Sequence, residues 1–326
     1  MIHTIQVVFP IDATDVQFIT RKIGLDYTKV NDYYHPKFTS VNFSIYRAFV
    51  EWHLSMHIDV IKLLGKADIT EGDYLTFESK IKFILFNLFG HTQYYRRHSL
   101  KRIDYRHDVV IRNKKHREIL LHIYKKLRQS YRFQKRYLGK LDWQGKFINY
   151  ETTVYHSSNS IRAIVYDKEA ERLAKNECIE PHEKNILRFE VAVGNKHILY
   201  KNDANKCKQT RKNQIKYYFK DDVMREYFQK YLKPIYQAGD YYSYKKLKDI
   251  IEQSNYRPAM KEKLKQFILS VANGDLDTPL RKGMHRATYN DRLKKLADLN
   301  VNPLTIPKHF GEGCNFIQNP LTPLFK

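Results

Sequence analysis

The sequence predicts an α+β protein in which an antiparallel-sheet domain flanked by helices is followed by a mainly helical domain. Short segments of alternating apolar and polar residues, typical of strands, recur through the first two thirds of the chain. An amphipathic helical stripe lies between them, and lysine-rich helical patterns replace the strands after about residue 205. Because 326 residues are enough to bury a core in two domains, we predict a sheet domain over 1–205 and a helical domain over 206–326.

The strands are predicted from period-two alternation and from turn residues at their ends. In the first strand Ile5, Val7 and Phe9 share one face, and we expect Pro10 to end it. Gly194 and Asn195 form a turn signal after the last strand and lead into the segment that carries Tyr200. The predicted strands cover residues 5–9, 52–58, 101–111, 152–155, 161–166 and 187–193.

The main helix of the sheet domain is predicted over residues 116–137. Its apolar stripe repeats with helical spacing from Ile119 to Leu127, and basic residues surround it. A shorter helix is predicted over 169–175. In the second domain prolines punctuate the helical patterns, which cover residues 223–232, 244–253, 260–272 and 288–299.

Charge is the most unusual property of the composition. The chain has 58 Lys and Arg against 35 Asp and Glu, a net charge of +23, which favours a polyanionic partner. The longest apolar stretch, near 83–89, is far shorter than the roughly 20 residues that span a membrane, so we expect no membrane association. The first ten residues do not resemble a signal peptide, and the three cysteines form no C-x-x-C pair, which favours a reducing compartment.

A basic segment over residues 96–140 is the clearest candidate for nucleic-acid binding. It contains 16 Lys or Arg and three acidic residues, with tyrosines interleaved that can stack on unpaired bases. A solvated charged face is the alternative interpretation. No phosphate-binding P-loop, dinucleotide fingerprint, G-x-S-x-G or H-E-x-x-H motif is present. The candidate DNA-contacting residues are Arg96, Arg97, Lys101, Arg106, Lys125, Lys126 and Arg128.

Carboxylates on two predicted strands are candidate metal ligands. Asp104 and Asp108 share one face of the strand over 101–111, and Glu190 faces away from the apolar residues of its own strand. If these strands are neighbours, the three carboxylates converge, and oxygen ligands of this kind suit Mg²⁺ or Mn²⁺. The alternative is that the two aspartates only form ion pairs with Arg102 and Arg106.

Two further groups of residues carry candidate chemistry. His57 and Asp59 share a strand face as a possible metal pair, although a structural histidine is the alternative. Arg188, Glu190 and Tyr200 stand close together in the sequence. Arginine holds phosphate oxygens, a carboxylate holds a divalent metal, and tyrosine can attack phosphorus. A core tyrosine at a strand end is the alternative for Tyr200, which is one of 25 tyrosines.

The segment with Arg188, Glu190 and Tyr200 resembles the active-site segment of rolling-circle replication initiators. Both the gene II/X replication proteins of filamentous phages and the initiators of staphylococcal-type rolling-circle plasmids are similar to it. The spacing from arginine to tyrosine suits the plasmid branch better, and Tyr217 and Tyr218 are the alternative tyrosines. Further similar segments, in the same order as in the family, lie at residues 1–11, 102–108, 153–160, 164–168 and 288–299.

The resemblance implies a nicking reaction in the domain over 1–205. Tyr200 would attack one phosphodiester of the origin, forming a 5′-phosphotyrosine link and freeing a 3′-hydroxyl that primes synthesis. It also implies a bound Mg²⁺ or Mn²⁺ that polarises the phosphate. The implied metal ligands are Asp104 and Glu190, with Asp108 or Asp59.

The same resemblance implies the remaining roles and partners. Arg188 or Lys168 would hold the non-bridging phosphate oxygens. The domain over 206–326 would bind origin DNA, and a host helicase and polymerase would act with the protein in the cytoplasm of a bacterial host, where a homodimer is an open option. Two alternatives stay open: a related relaxase or transposase, and a non-catalytic basic DNA-binding protein such as an origin-binding repressor.

Overall fold

The protein has a mixed α and β fold with an antiparallel sheet flanked by helices and a helical C-terminal region, which confirms the predicted fold class. The computed structural model describes residues 1–127, 134–136, 139–141, 143–144, 147–149, 152–310 and 313–325. The strands, in chain order, are β1 (Ile2–Ile11), β2 (Val41–Ala48), β3 (Glu51–Asp59), β4 (Ser99–Val110), β5 (Gln134–Arg136), β6 (Gly139–Leu141), β7 (Phe147–Asn149), β8 (Thr153–Ser157), β9 (Ile161–Asp167), β10 (Ile186–Gly194), β11 (Tyr241–Tyr242) and β12 (Phe316–Ile317).

The α-helices connect and follow these strands. None of them, within the described part of the chain, is long and apolar enough to cross a membrane. The helices, in chain order, are α1 (Ala13–Ile23), α2 (Val30–Tyr34), α3 (Val60–Leu64), α4 (Tyr74–Phe89), α5 (Lys114–Tyr124), α6 (Lys168–Ala174), α7 (Asn195–Asn202), α8 (Asp221–Tyr231), α9 (Lys233–Tyr236), α10 (Tyr244–Gln253), α11 (Pro258–Ala272), α12 (Thr278–Arg281), α13 (Arg286–Asp298) and α14 (Thr322–Phe325).

By contacts between residues the chain forms two compact units, and β4 and β10 contribute residues to both. The C-terminal helices belong to the second unit, together with earlier residues. The division into two functional domains at residue 205 stays a prediction. The first unit comprises Met1–His107, Asn159–Ile161 and Glu190–Arg225, and the second comprises Asp108–Ser158, Arg162–Phe189 and Glu226–Lys326.

The first unit is built around β1. Its strand order is β2-β3-β1-β4-β10, and β1 runs antiparallel to both β3 and β4. Ile5 lies opposite Ile58 on one side and Ile103 on the other, and all three are fully buried. Helix α4 adds buried Phe77 and Ile81 to the core of this unit. One face of the sheet is therefore apolar, which leaves the other face for polar side chains.

The second unit joins strands and the C-terminal helices through one aromatic cluster. Its strand order is β10-β9-β8-β5. Tyr124 of α5 has ring centroids 4.9 Å from Tyr236 and 5.9 Å from Phe189 of β10, and Phe189 lies 5.5 Å from Tyr236. Tyr241 of β11 lies 6.1 Å from Tyr124. Because such contacts bury large apolar area, Tyr236 and Tyr241 of the C-terminal region share a buried core with Tyr124, and Tyr236 also contacts Phe189.

Two local predictions were wrong. The helix predicted over 116–137 ends at Tyr124, and Gln134–Arg136 form a strand. The remainder of the predicted helix at residues 128–133 and 137 lies outside the described residues. Pro10 does not end β1, because it still pairs with β3. Pairing of β1 with β4 stops at Val8, so β4 offers no partner for the N–H that Pro10 lacks.

Candidate functional site

The polar face of the sheet in the first unit carries the candidate site. Thr4 lies opposite Asp59 of β3 and also opposite Asp104 of β4. Residues paired across antiparallel strands project to the same face, so these side chains lie opposite the buried face that carries Ile5. We call this surface the polar face. Its members on the three central strands are Thr4, Gln6, His57, Asp59, Arg102 and Asp104.

Asp104 is the most buried carboxylate of the polar face, with 4% of its surface exposed. Arg102 donates two hydrogen bonds to it, from Nε to Oδ1 and from Nη2 to Oδ2, each 2.7 Å long. Burial raises the pKa of Asp104, and the Arg102 guanidinium opposes that rise. The alternative that Asp104 forms an ion pair with Arg102 is therefore what the structure contains.

Glu190 of β10 lies close to this pair. His3 Nδ1 is 3.0 Å from Glu190 Oε1, and Glu190 is 9% exposed. The negative charge of Glu190 raises the pKa of Asp104 further, whereas the charge of His3 lowers it. The three groups therefore interact electrostatically. β4 and β10 are neighbours in the sheet. The expected convergence of Asp104, Asp108 and Glu190 stays a prediction: the strands that carry Asp104 and Glu190 are neighbours, while Asp108 pairs with Arg188 in the second unit.

His57 and Asp59 complete the set of possible donors. Partial burial and the charge of Arg102 lower the pKa of His57, so the imidazole is neutral at pH 7 and available as a ligand. Asp59 accepts a 3.0 Å hydrogen bond from Lys62 N and so caps α3. This second role gives Asp59 a structural function besides any contact with a ligand.

A divalent metal fits the donor chemistry of the polar face but not its present arrangement. In the part of the chain that the structure describes, no group of three or more His, Cys, Asp or Glu side chains is gathered to hold a metal ion. Neutral imidazoles and carboxylates suit Mn²⁺ well, while Mg²⁺ prefers oxygen ligands alone. Arg102 occupies one acceptor site on each Asp104 oxygen, so it competes with a cation for this carboxylate.

Three predicted site residues belong to the second unit. Arg188 is 1% exposed and donates to both oxygens of Asp108, over 2.7 and 2.9 Å. Asp108 therefore pairs with Arg188, and the alternative of a pair with Arg106 stays a prediction. Lys168 is also buried, with Nζ 2.5 Å from Glu171 and 3.5 Å from Glu183. All three side chains are engaged in ion pairs within their own unit.

Tyr200 lies on a helix rather than at a strand end. Helix α7 begins at Asn195, directly after Gly194 ends β10, so the strand that carries Glu190 leads straight into the helix that carries Tyr200. His197 and Ile198 bury one side of this helix, while the Tyr200 side chain is 46% exposed. The interpretation of Tyr200 as a core tyrosine at a strand end was wrong, because Tyr200 lies on a helix and is exposed.

The predicted DNA-contacting residues differ in accessibility. Arg96 and Arg97 are exposed, whereas Lys101, Lys125 and Lys126 are half-buried. Arg106 is 1% exposed and donates a 2.6 Å hydrogen bond to the carbonyl of Ala67, so it does not belong to an open DNA-binding surface. Arg128 lies outside the described residues.

Sequence reasoning missed two members of the site. His3 was not singled out because it stands in a strand with no obvious partner, yet it contacts Glu190. His197, whose ring centroid is 6.2 Å from that of Tyr200, was missed because the segment was not assigned to a helix. The turn signal at Gly194 and Asn195 could have indicated a helix start, which would have placed His197 one turn before Tyr200.

Comparison of the chain with known protein families and with curated proteins finds no match. The resemblance to rolling-circle initiators therefore stays a prediction from short segments. The function must be inferred from the chemistry of the polar face and of Tyr200.

Proposed function

We propose that the protein initiates rolling-circle replication by nicking one DNA strand at a specific origin, with Tyr200 as the nucleophile. One arrangement supports the proposal: β4, which carries Asp104, and β10, which carries Glu190, are neighbours in the sheet, and β10 leads from Glu190 directly into the helix on which Tyr200 is exposed. Carboxylates that can hold a metal and an accessible tyrosine are thus in one compact unit. The net charge of +23 supports a nucleic-acid substrate.

The proposed reaction balances without ATP. The Tyr200 hydroxyl gives up its proton as its oxygen attacks a backbone phosphorus. The bond from phosphorus to the 3′-oxygen breaks, and that oxygen takes up one proton and leaves as a 3′-hydroxyl, so no net proton is gained or lost. The phosphotyrosine bond retains the energy of the phosphodiester, so attack by a 3′-hydroxyl rejoins the strand. A host polymerase would extend the free 3′-hydroxyl, with a host helicase opening the duplex, in the cytoplasm of a bacterial host.

A divalent metal, Mn²⁺ or Mg²⁺, would neutralise charge on the scissile phosphate when bound. Glu190 and Asp104, with His57 or His3 beside them, are the residues that would hold it. Asp59 is a further candidate on the same face, but it also caps α3. Asp108, Arg188 and Lys168 remain proposed participants whose side chains are paired within the second unit.

The test uses labelled single-stranded oligonucleotides that tile the DNA element encoding the chain, incubated with the full protein and Mn²⁺. We expect one oligonucleotide to form a covalent adduct that survives denaturation. Tyr200→Phe should abolish it, whereas Tyr217→Phe is the matched control, because Tyr217 is half-buried in the same unit, and should retain it.

Two outcomes would contradict the proposal. An adduct that persists in Tyr200→Phe would remove Tyr200 as the nucleophile. Absence of any adduct across the tiled set, with DNA binding retained, would favour the alternative of a non-catalytic origin-binding protein. A related relaxase or transposase would give the same adduct but would transfer the strand to a second DNA.

A further inference from the structure

The hairpin that joins β2 and β3 ends in an exposed apolar tip. Ala48 and Glu51 are the last pair in its register, so Phe49 and Val50 alone form the connection. Phe49 is 101% exposed and Val50 is 78% exposed. Both side chains lie largely in solvent rather than in the core. Together they form a small exposed apolar surface at the end of the hairpin.

The backbone at the tip is strained by the residue that occupies it. Phe49 has φ of 54°, in the left-handed region, where glycine or asparagine is the usual choice for a tight hairpin. A residue with a Cβ costs about 1–2 kcal/mol there. Because Phe49 gains no burial in return, folding alone does not account for a phenylalanine at this position. Strained residues of this kind cluster where function requires a particular side chain.

A small cleft with two arginines lies at the base of this tip. It has a volume of about 320 Å³, and Arg47, Val50, Trp52 and Arg97 line it. The Arg47 guanidinium is 5.9 Å from the Trp52 ring centroid, so the aromatic ring supports it. Arg97 comes from a separate segment, after α4. Two arginines beside an apolar tip suit a phosphate backbone on either side of an inserted ring.

Two carboxylates also line the cleft, and one of them is already engaged. Asp12 accepts a 3.0 Å hydrogen bond from the hydroxyl of Tyr94. Glu51 lies 4.0 Å from His53 Nε2 and is otherwise largely exposed. Among the described residues, neither carboxylate forms an ion pair with Arg47 or Arg97, so both guanidinium groups are able to bind an anion.

The strands behind the tip make it a firm support. β2 pairs with β3 from Val41 to Ala48, and β3 pairs in turn with β1. Ile45 and Leu54, on the inward face, are 4% and 0% exposed. Because this hairpin is anchored in the core of the first unit, force on the tip is transmitted to a rigid sheet rather than absorbed by a loop.

We propose that Phe49, supported by Val50, inserts between stacked base pairs of duplex DNA and unstacks them, while Arg47 and Arg97 hold the adjacent phosphates. Apolar wedges beside arginines open base steps in this way. The inference rests on the DNA substrate of the proposed function, since a nucleophile that acts on one strand needs that strand locally unpaired, but not on the tyrosine chemistry. A membrane is the less suitable partner, because membrane binding scales with buried apolar area and only two apolar residues project.

The test uses short duplexes with 2-aminopurine at successive positions, whose fluorescence rises on unstacking, in EDTA so that no strand is cut. Full-length wild type should raise the fluorescence, and Phe49→Gly should abolish the rise. The affinity of Phe49→Gly for the same duplex should be about tenfold lower than that of wild type, as expected for loss of one stacking contact. Phe49→Trp should keep the rise. Leu75→Ser, a matched change at a residue 73% exposed on α4, should behave as wild type.

The variants separate this inference from a folding defect and from the nicking proposal. Phe49→Gly relieves the left-handed strain, so its melting temperature should equal or exceed that of wild type, which excludes unfolding as the cause. Tyr200→Phe should unstack DNA like wild type, so loss of nicking and loss of unstacking are measured independently. A fluorescence rise that persists in Phe49→Gly, or no rise with wild type at any position, would overturn the inference. So would Phe49-dependent binding to vesicles of anionic phospholipid without unstacking of DNA.

Discussion

Arg102 holds both carboxylate oxygens of Asp104 on the polar face, through two hydrogen bonds of 2.7 Å. This pair sits where the proposed function needs a metal ligand. The guanidinium therefore competes with any cation for Asp104, and its positive charge also repels a cation from the neighbouring Glu190. Arg102 thus acts as an internal counter-ion that occupies Asp104 when no metal is bound.

Removal of this counter-ion should increase the affinity for a metal. We expect Arg102→Met to bind Mn²⁺ about tenfold more tightly than wild type, a change of about 1.4 kcal/mol, because two charge-assisted hydrogen bonds no longer have to break. Isothermal titration calorimetry at pH 8 measures this. The double variant with Asp104→Asn should lose the gain, and equal affinities of Arg102→Met and wild type would show that Asp104 is not a ligand.

The central strands and the longer C-terminal helices, α8, α10, α11 and α13, could be predicted because local patterns determine them. Alternation placed Leu54, Met56 and Ile58 on one face of β3, and all three are buried. The sequence predicts Pro258 between two helices, and in the structure it lies in the first turn of α11. The N–H that proline lacks would have no intrahelical partner there, so no hydrogen bond is lost. Patterns of this kind are local, so no knowledge of the rest of the chain was needed.

The ion pairs could not be predicted because they depend on register. The sequence left Asp108 either as a metal ligand or as a partner of Arg106, and the structure adds Arg188 of β10, which reaches Asp108 from another strand. Asp104 was compatible with an ion pair or with a metal, and only the approach of Glu190 and His3 reveals the cluster. Which partner wins depends on distances that separate segments acquire only after folding.

Close approach of two backbones makes Gly239 irreplaceable. A Cβ at Gly239 would lie 2.3 Å from the carbonyl carbon of Val301, and its φ is +89°. We expect Gly239→Ala to lower the free energy of unfolding by about 3 kcal/mol or more, because backbone atoms must shift and the left-handed region adds strain. Urea denaturation measures the loss. Gly283→Ala is the matched control, with φ of +88° and open space around it, and should lose only about 1 kcal/mol.

Acid should weaken the second unit through Glu183. Burial raises the pKa of Glu183, but hydrogen bonds from Arg172 and the charge of Lys168 outweigh burial and lower it to about 2. A carboxyl with a depressed folded-state pKa stabilises the fold above its unfolded pKa, near 4.5, and this contribution is lost as the pH falls towards 2.

The matching variant is Glu183→Gln. At pH 7 it should be less stable than wild type by about 3 kcal/mol, and the gap should shrink as the pH falls from 5 to about 2.5. Urea denaturation at each pH provides the free energies. Glu177→Gln removes the more exposed partner of Arg172 and should cost less than about 1 kcal/mol. A gap for Glu183→Gln that does not change with pH would contradict the proposed ionisation.

Arg117 of the second unit is a cation with several hydrogen-bond partners. Its Nε donates to Asp167 over 2.7 Å and its Nη2 to Glu169 over 2.6 Å, while Nη1 donates to the side chain of Asn185 and to a backbone carbonyl. The residue is 2% exposed. Arg117→Met should destabilise the protein by about 3–5 kcal/mol, because it leaves buried carboxylates without their counter-ion.

The control for Arg117 is an exposed ion pair of the same unit. Arg281→Met breaks the 2.8 Å contact to Asp275, where the arginine side chain is 55% exposed, and should cost less than about 1 kcal/mol. Thermal and urea unfolding of both variants provide the comparison. If Arg117→Met were as stable as Arg281→Met, the Asp167 carboxylate would have to find other partners or become neutral. A double variant of Arg117→Met with Asp167→Asn tests this directly, since it should recover part of the loss by removing the uncompensated charge.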